Sequence, residues 1–182
     1  MLTVNWTNGD LEGVEVQRSQ RTIQDLRDLF GDPAAAKLIP AGSLVYSVEW
    51  WAPVPEGTEG GLFWGTTSVK PGKVGQEYFM TQGHFHAKAN RTEYYGTVEG
   101  RGALILMDAS RKTWMEEMAP GTLHHIPPGI CHRVANTGDT PLKFVACWPS
   151  DAGYDYEIVR KLGFGGRLLA IDGVPTLVRK NA

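Results

Sequence analysis

Residues Thr81–Gly102, TQGHFHAKANRTEYYGTVEGRG, set His84 and His86 two positions apart and place Glu93 seven residues further on. The chain has only five histidines, so a His-x-His pair asks for a reason. In an extended strand, residues i and i+2 face the same side. His84 and His86 therefore project together, and Glu93 and Tyr95 share a face in the strand that follows. NRTE between them can turn the chain and bring Glu93 opposite the histidines. Neutral imidazole with carboxylate is a donor set for Fe(II), Mn(II), Ni(II) or Zn(II). Taken alone, a His-x-His pair is more often a surface or core-edge feature than a pair of ligands.

The surroundings of this stretch are β-rich. From about residue 43 short runs of period two follow one another: SLVYSVEWWA, GLFWGTTSVK, EYFMTQGHFH, TEYYGTVEG, GALILMD, KTWMEEMA, TLHHIPP, CHRVANTG and LKFVACWP. Turn residues separate them, as in KPGK, EGRG, APG and TGDTP, and so many short strands at this spacing predict a sandwich, barrel or jelly roll. Helical pattern is scarce. RTIQDLRDLFGDP offers Thr22 as N-cap, a stripe of Ile23, Leu26, Leu29 and Phe30, and Gly31 as a stop. PAAAKLIP adds a turn of helix. A short αβ pattern, YEIVRKLGFGGRLLAIDGVPTLVRK, closes the chain.

At 182 residues the chain is long enough to bury a core of normal size as one domain with an arm. We divide it into an arm with a helix over 1–40, a β-barrel over 41–150 and a C-terminal extension over 151–182. A net charge of −2 with interspersed signs argues against a nucleic-acid or anionic-membrane partner. No apolar run approaches the roughly 20 residues of a membrane span, and the N-terminus lacks the regions of a signal peptide. Cys131 and Cys147 form neither a CxxC pair nor a disulfide framework. A cytoplasmic, reduced protein is the simplest expectation.

PGTLHHIPPGICHRVANTG sharpens the histidine signal by adding a turn, an apolar strand, a proline turn and His132. Gly83, His84, His86, Glu93 and Gly100, then Gly121, Pro127, Gly129, His132 and Asn136, resemble the two motifs of the cupin superfamily. The gap between His86 and Glu93 is longer than the usual cupin spacing. With PPGICHR, PSDAGYDY and TTSVKPGKVGQEYFMTQGHFHAK, that gap makes the chain similar to the cupin-type glucose-6-phosphate isomerases from roughly Tyr46 to Tyr156.

The resemblance implies a mainly β cupin jelly-roll barrel with one divalent transition metal per chain, Fe(II) favoured. The implied ligands are His84, His86, Glu93 and His132. His124 and His125 are adjacent in a strand, so at most one faces inward. Glu93 and Tyr95 are the implied catalytic residues. Tyr46, Thr67, Thr81, Gly83, Tyr95, Tyr154 and Tyr156 are the implied substrate contacts, offering hydroxyl and backbone N–H donors to a sugar phosphate. Lys88 and Arg91 add positive potential or are solvated turn residues. A role in glycolysis and gluconeogenesis and a homodimer follow from the same resemblance. Trp50 and Trp51 fit either a dimer surface or a pocket wall. The chain departs from the family pattern at Tyr154, where histidine is common, and at Trp148, where tyrosine is usual. A cupin acting on another sugar phosphate, such as mannose 6-phosphate, and a non-catalytic sugar-binding cupin are the alternatives.

Overall fold

The structure is a computed structural model that describes residues 1–13 and 15–179. Two small strands, β1 (Thr3–Val4) and β2 (Leu11–Glu12), pair at the N-terminus, and β3 (Gln17–Thr22) leads into helix α1 (Ile23–Leu26). The predicted helix is shorter and tighter than its stripe suggests, because a 3₁₀ turn takes over at Arg27–Leu29. Asp25 fixes its start, accepting from the Thr22 N–H at 2.7 Å and from the Thr22 hydroxyl at 2.9 Å. Helix α2 (Pro33–Lys37) begins on the Asp32 side chain, with proline in its first turn, where the missing N–H costs nothing.

The β region then runs β4 (Leu44–Trp51), β5 (Leu62–Val69), β6 (Lys73–Val74), β7 (Glu77–Tyr78), β8 (Glu93–Glu99), β9 (Gly102–Met107), β10 (Thr113–Met118), β11 (Leu123–Ile126), β12 (Cys131–Asn136) and β13 (Leu142–Pro149). Helix α3 (Glu157–Leu162) and the hairpin β14 (Gly166–Ile171) and β15 (Val174–Arg179) follow. Six strands form one sheet in the order β11-β8-β13-β5-β4-β3, and three form another in the order β10-β9-β12. The terminal hairpin makes a further sheet with β7 and β6, in the order β15-β14-β7-β6.

Strands β9 and β12 are buried along their whole length. The near-continuous apolar run of β9 is what a strand covered on both faces requires, whereas β12 buries His132, Arg133 and Asn136 among its apolar residues. Leu104, Leu106, Val134, Leu142 and Phe144 belong to the core. Hydrogen bonds tie the C-terminal segment onto this layer, among them Gly165 N–H to the Met107 sulfur, Arg133 Nη2–H to the Gly166 carbonyl and Arg179 Nε–H to the Thr113 carbonyl. Among the described residues no hydrogen-bond ladder joins the six-stranded sheet to the others. The jelly roll is therefore a sandwich of sheets and not a barrel closed by pairing.

The polar strand β3, in the arm, is the sixth strand of the large sheet and pairs with β4. The His-x-His stretch, read as strand, is instead an irregular extended segment beside β12, held by single bridges Met80↔Ala135 and His84↔His132. Gly83 breaks its regularity. It sits at φ +78°, and a Cβ there would meet the Phe164 ring at 2.7 Å, so glycine alone suits the position.

Candidate metal centre and its pocket

Alternation on the large sheet decides what faces the interior. Ser19 and Arg21 on β3, Tyr46, Val48 and Trp50 on β4, Gly65 and Thr67 on β5, Phe144, Ala146 and Trp148 on β13, and Glu93 and Tyr95 on β8 all line one cavity of about 360 Å3. Thr81, Gln82, Gly83 and His84 enter from the irregular segment, His132 from β12, and Tyr154 and Tyr156 from the chain after β13.

Four side chains converge here. One donor atom from each of His84, His86, Glu93 and His132 lies within 4.8 Å of the others. Backbone carbonyls orient two of the rings: His86 Nδ1 lies 3.0 Å from the Arg91 oxygen, and His132 Nδ1 lies 3.2 Å from the Ile130 oxygen. Each carbonyl accepts a hydrogen bond from Nδ1–H, which turns Nε2 toward Glu93. His86 Nε2 stands 3.3 Å and His132 Nε2 3.1 Å from Glu93 Oε2. The His132 contact is close but off the line of a hydrogen bond. His84 Nε2 and His132 Nε2 are buried without a hydrogen-bond partner among the described residues. Unpartnered buried nitrogens call for an explanation. Open imidazole nitrogens converging on a carboxylate fit a divalent transition-metal ion.

The electrostatics of His84 agree with that fit. Burial, then the neighbouring His132, push the His84 pKa well below its ordinary value, so this ring is neutral and ready to coordinate. For His86 burial acts in the same direction, but the Glu93 carboxylate outweighs it and the pKa rises. Burial alone would raise Glu93; contacts with His132 and His86 overcome it and hold the carboxyl at about 2. Burial, then the Glu93 charge, keep the Tyr95 phenol protonated far above its ordinary range.

All seven residues expected to touch substrate line the cavity. The Tyr46 phenol is pushed up to about 12 by burial, against a hydrogen bond from the Gln82 backbone. The Thr81 hydroxyl oxygen accepts from Val134 N–H at 3.0 Å, which leaves its proton free to donate. Tyr154 and Tyr156 stack at 5.9 Å and 11°, and Tyr154 meets the His84 ring edge-on at 4.8 Å. Burial and then the Glu93 charge raise the Tyr154 phenol, while a hydrogen bond from Trp148 acts the other way. The two departures from the family pattern thus touch each other.

The remaining histidines stay outside the cluster. His124 is buried with both ring nitrogens engaged, by Glu116 at 2.7 Å and Thr122 at 2.9 Å. His125 points outward onto the Tyr94 ring at 5.0 Å. Trp50 lines the cavity, whereas Trp51 faces away, in register with Trp64. Lys88 and Arg91 both bind the Asp151 carboxylate and do not line the cavity. Asn136, part of the second motif, is a turn clamp whose amide donates to the Val69 and Thr140 carbonyls at 2.8 Å.

Arg21, Ser19 and Gln82 are cavity residues that the sequence reading missed. The signal for the first two was the alternation within QRSQRT, which has no apolar member to reveal it.

The jelly roll and this cluster define a cupin with a candidate metal centre. A solved structure of oxalate oxidase shares the fold at TM-score 0.51 and 16% identity, covering 63% of this chain and 56% of that one. At that identity the likeness speaks to the fold alone. The model of the family "Glucose-6-phosphate isomerase (GPI)" matches residues 20–182. The glucose-6-phosphate isomerase of Thermococcus gammatolerans is 37% identical over 174 residues, covering 90% of this chain and 91% of that protein. The Thermococcus litoralis enzyme of the same name is 41% identical over 150 residues, covering 81% and 78%. The chain belongs to the glucose-6-phosphate isomerase family.

Proposed function

We propose that this chain is a metal-dependent aldose–ketose isomerase that interconverts glucose 6-phosphate and fructose 6-phosphate. The observation that carries the reading is the cavity itself, in which the histidine–glutamate cluster opens onto a space lined by the hydroxyls of Tyr46, Thr67, Thr81, Tyr95 and Tyr156. Membership of the family and its like-named Thermococcus relatives support it.

His84, His86, Glu93 and His132 would hold one divalent ion, Fe(II) favoured, with Mn(II), Ni(II) and Zn(II) inside the same donor preference. When bound, such an ion supplies Lewis acidity that stabilises negative charge on the sugar oxygens at C1 and C2. Tyr46, Thr67, Thr81, Tyr156 and the Gly83 N–H bind the phosphate as neutral donors. Tyr95 holds its proton beside Glu93, placed to hydrogen-bond the oxygen at C1 or C2. Glu93 is ionised at neutral pH and is a weakened base for the C2 proton. Tyr154 closes the side of the cavity next to His84.

The reading extends to a homodimer in the cytoplasm, working in glycolysis or gluconeogenesis. A row of apolar side chains across the outer face of the large sheet supports a second copy as partner. Trp51, Trp64, Cys147 and Tyr94 stand in register there, with Trp6 edge-on to Trp64 at 5.8 Å. Among the described residues no helix is long and apolar enough to cross a membrane.

A coupled spectrophotometric assay for glucose 6-phosphate formed from fructose 6-phosphate tests the activity. Steady turnover at micromolar enzyme supports the reading, and none with fully metallated protein removes it.

A further inference from the structure

Arg21 is the one lysine or arginine among the described residues that line the cavity. It belongs to β3, in the N-terminal arm, and sits opposite Tyr46 in the register with β4. The ladder slips immediately after it, between Arg21 and Thr22, and such irregularities re-aim a side chain. The strand's alternation sorts its two arginines. Arg18, facing outward, is paired with Glu49 at 2.8 Å. Arg21, facing the cavity, has no carboxylate partner among the described residues; one of its terminal nitrogens donates to the Gln20 carbonyl at 2.8 Å. Most of its planar fork of donors is left unengaged beside a cavity.

Position gives this cation a meaning. Strand β3 is one edge of the six-stranded sheet, and β8, which carries Glu93, lies four strands away. At about 4.8 Å per strand that is roughly 19 Å along the curved sheet, and long side chains reach into the cavity from both ends. The cavity is therefore polarised, with the carboxylate and imidazoles at one end and a guanidinium at the other. The guanidinium charge is felt by its neighbours, acting against burial on the phenols of Tyr46 and Tyr156.

We propose that Arg21 is the specificity-determining residue of the cavity: its guanidinium takes the phosphate dianion of the substrate in a forked contact, turns the C1–C2 end toward His84 and Glu93, and selects phosphorylated over neutral sugars. A planar guanidinium suits two phosphate oxygens at once, which a lysine ammonium does not. The neutral hydroxyls of Tyr46, Thr67 and Thr81 complete the phosphate site without contributing charge. This inference rests on the isomerase reading above and deepens it.

Steady-state kinetics of metallated wild type, Arg21→Gln and Arg21→Lys, with fructose 6-phosphate and with fructose, tests the proposal. Metal content and far-UV circular dichroism verify that the variants are folded and loaded. Arg21→Gln should raise KM for fructose 6-phosphate by about 10–100-fold, the scale of lost hydrogen bonds to a charged group, with kcat within about threefold. Any turnover of fructose should be unchanged, and Arg21→Lys should recover part of the loss. An unchanged KM for fructose 6-phosphate, or an equal loss on both sugars, overturns the assignment. Inorganic phosphate, measured by calorimetry, needs no turnover and so separates this claim from the activity. Weaker phosphate binding by Arg21→Gln sustains the assignment even in a protein that isomerises nothing; equal binding overturns it.

Discussion

Arg91 and Asp151, 60 residues apart in sequence, meet in a two-pronged ion pair, with Nε to Oδ1 at 2.8 Å and Nη2 to Oδ2 at 2.7 Å. The Asp151 side chain is only 1% exposed, and Lys88 adds a third contact at 2.8 Å. The pair clamps the loop between the two parts of the metal cluster. The Arg91 carbonyl, fixed by that clamp, is the one that orients His86 through Nδ1. A buried carboxylate outside the cavity lining thus helps set the tautomer of a candidate ligand.

Asp151→Asn therefore acts on metal binding at a distance. The amide keeps the shape but loses the charge and one accepting oxygen, so it can no longer hold both prongs of Arg91, which loosens Arg91 and with it His86. We expect Mn(II) affinity, measured by calorimetry, to fall roughly tenfold, at the low end for residues that orient ligands. Unchanged affinity would show that the clamp serves the loop alone.

The same carboxylate shapes the acid limb of stability. Hydrogen bonds from Arg91, then Lys88, hold the Asp151 pKa below its ordinary 3.8 in the folded protein. A depressed folded pKa contributes stability that is complete above the unfolded value of roughly 3.9 and is lost as pH falls through the lower folded value. Denaturant unfolding followed from pH 7 to pH 2 should show wild type losing stability below about pH 4 more steeply than Asp151→Asn. Parallel curves would contradict the clamp's electrostatic role.

The five histidines divide into three groups. His84→Ala, His86→Ala and His132→Ala should each lower bound metal sharply. His124→Ala should keep metal but lower stability by about 1–2 kcal/mol, since Glu116 and Thr122 lose a shared partner. His125→Ala should change neither. Elemental analysis and thermal unfolding of the five variants check this, and metal loss in His124→Ala with retention in His132→Ala would reverse the assignment.

Much of this was legible in the sequence because the physics is local. Alternation and turn residues mark β4, β5, β8 and β13, and the spacing of His84, His86 and Glu93 carries into the folded cluster. What was not legible depended on tertiary contact. Strand β3, QRSQRT, has no apolar face; it is a strand because β4 offers it a hydrogen-bonding edge, and strand preference reflects such context. Arg21 was hidden with it. The histidine segment read as a regular strand, but glycine at a positive φ and single bridges to β12 shape it. The helix after Thr22 showed the right buried stripe, yet its four-residue α turn gives way to a 3₁₀ turn that packs Phe30 beside Phe79 at 6.4 Å.

Glu93→Gln tests the chemistry at the centre of the cluster. The amide keeps one carbonyl oxygen and loses the charge and nearly all basicity. Turnover should fall by about 10² or more, the scale of a lost general base, while fructose 6-phosphate still binds. Near-normal turnover in the coupled assay would take Glu93 out of the reaction.

The central claim is that isomerisation depends on one metal ion held by His84, His86, Glu93 and His132. Its most direct test is a titration of chelator-stripped protein with Fe(II), reading fructose 6-phosphate turnover and bound iron in the same samples. The account predicts no turnover without metal and a linear rise that saturates at one equivalent per chain. Full activity in the stripped protein would contradict it.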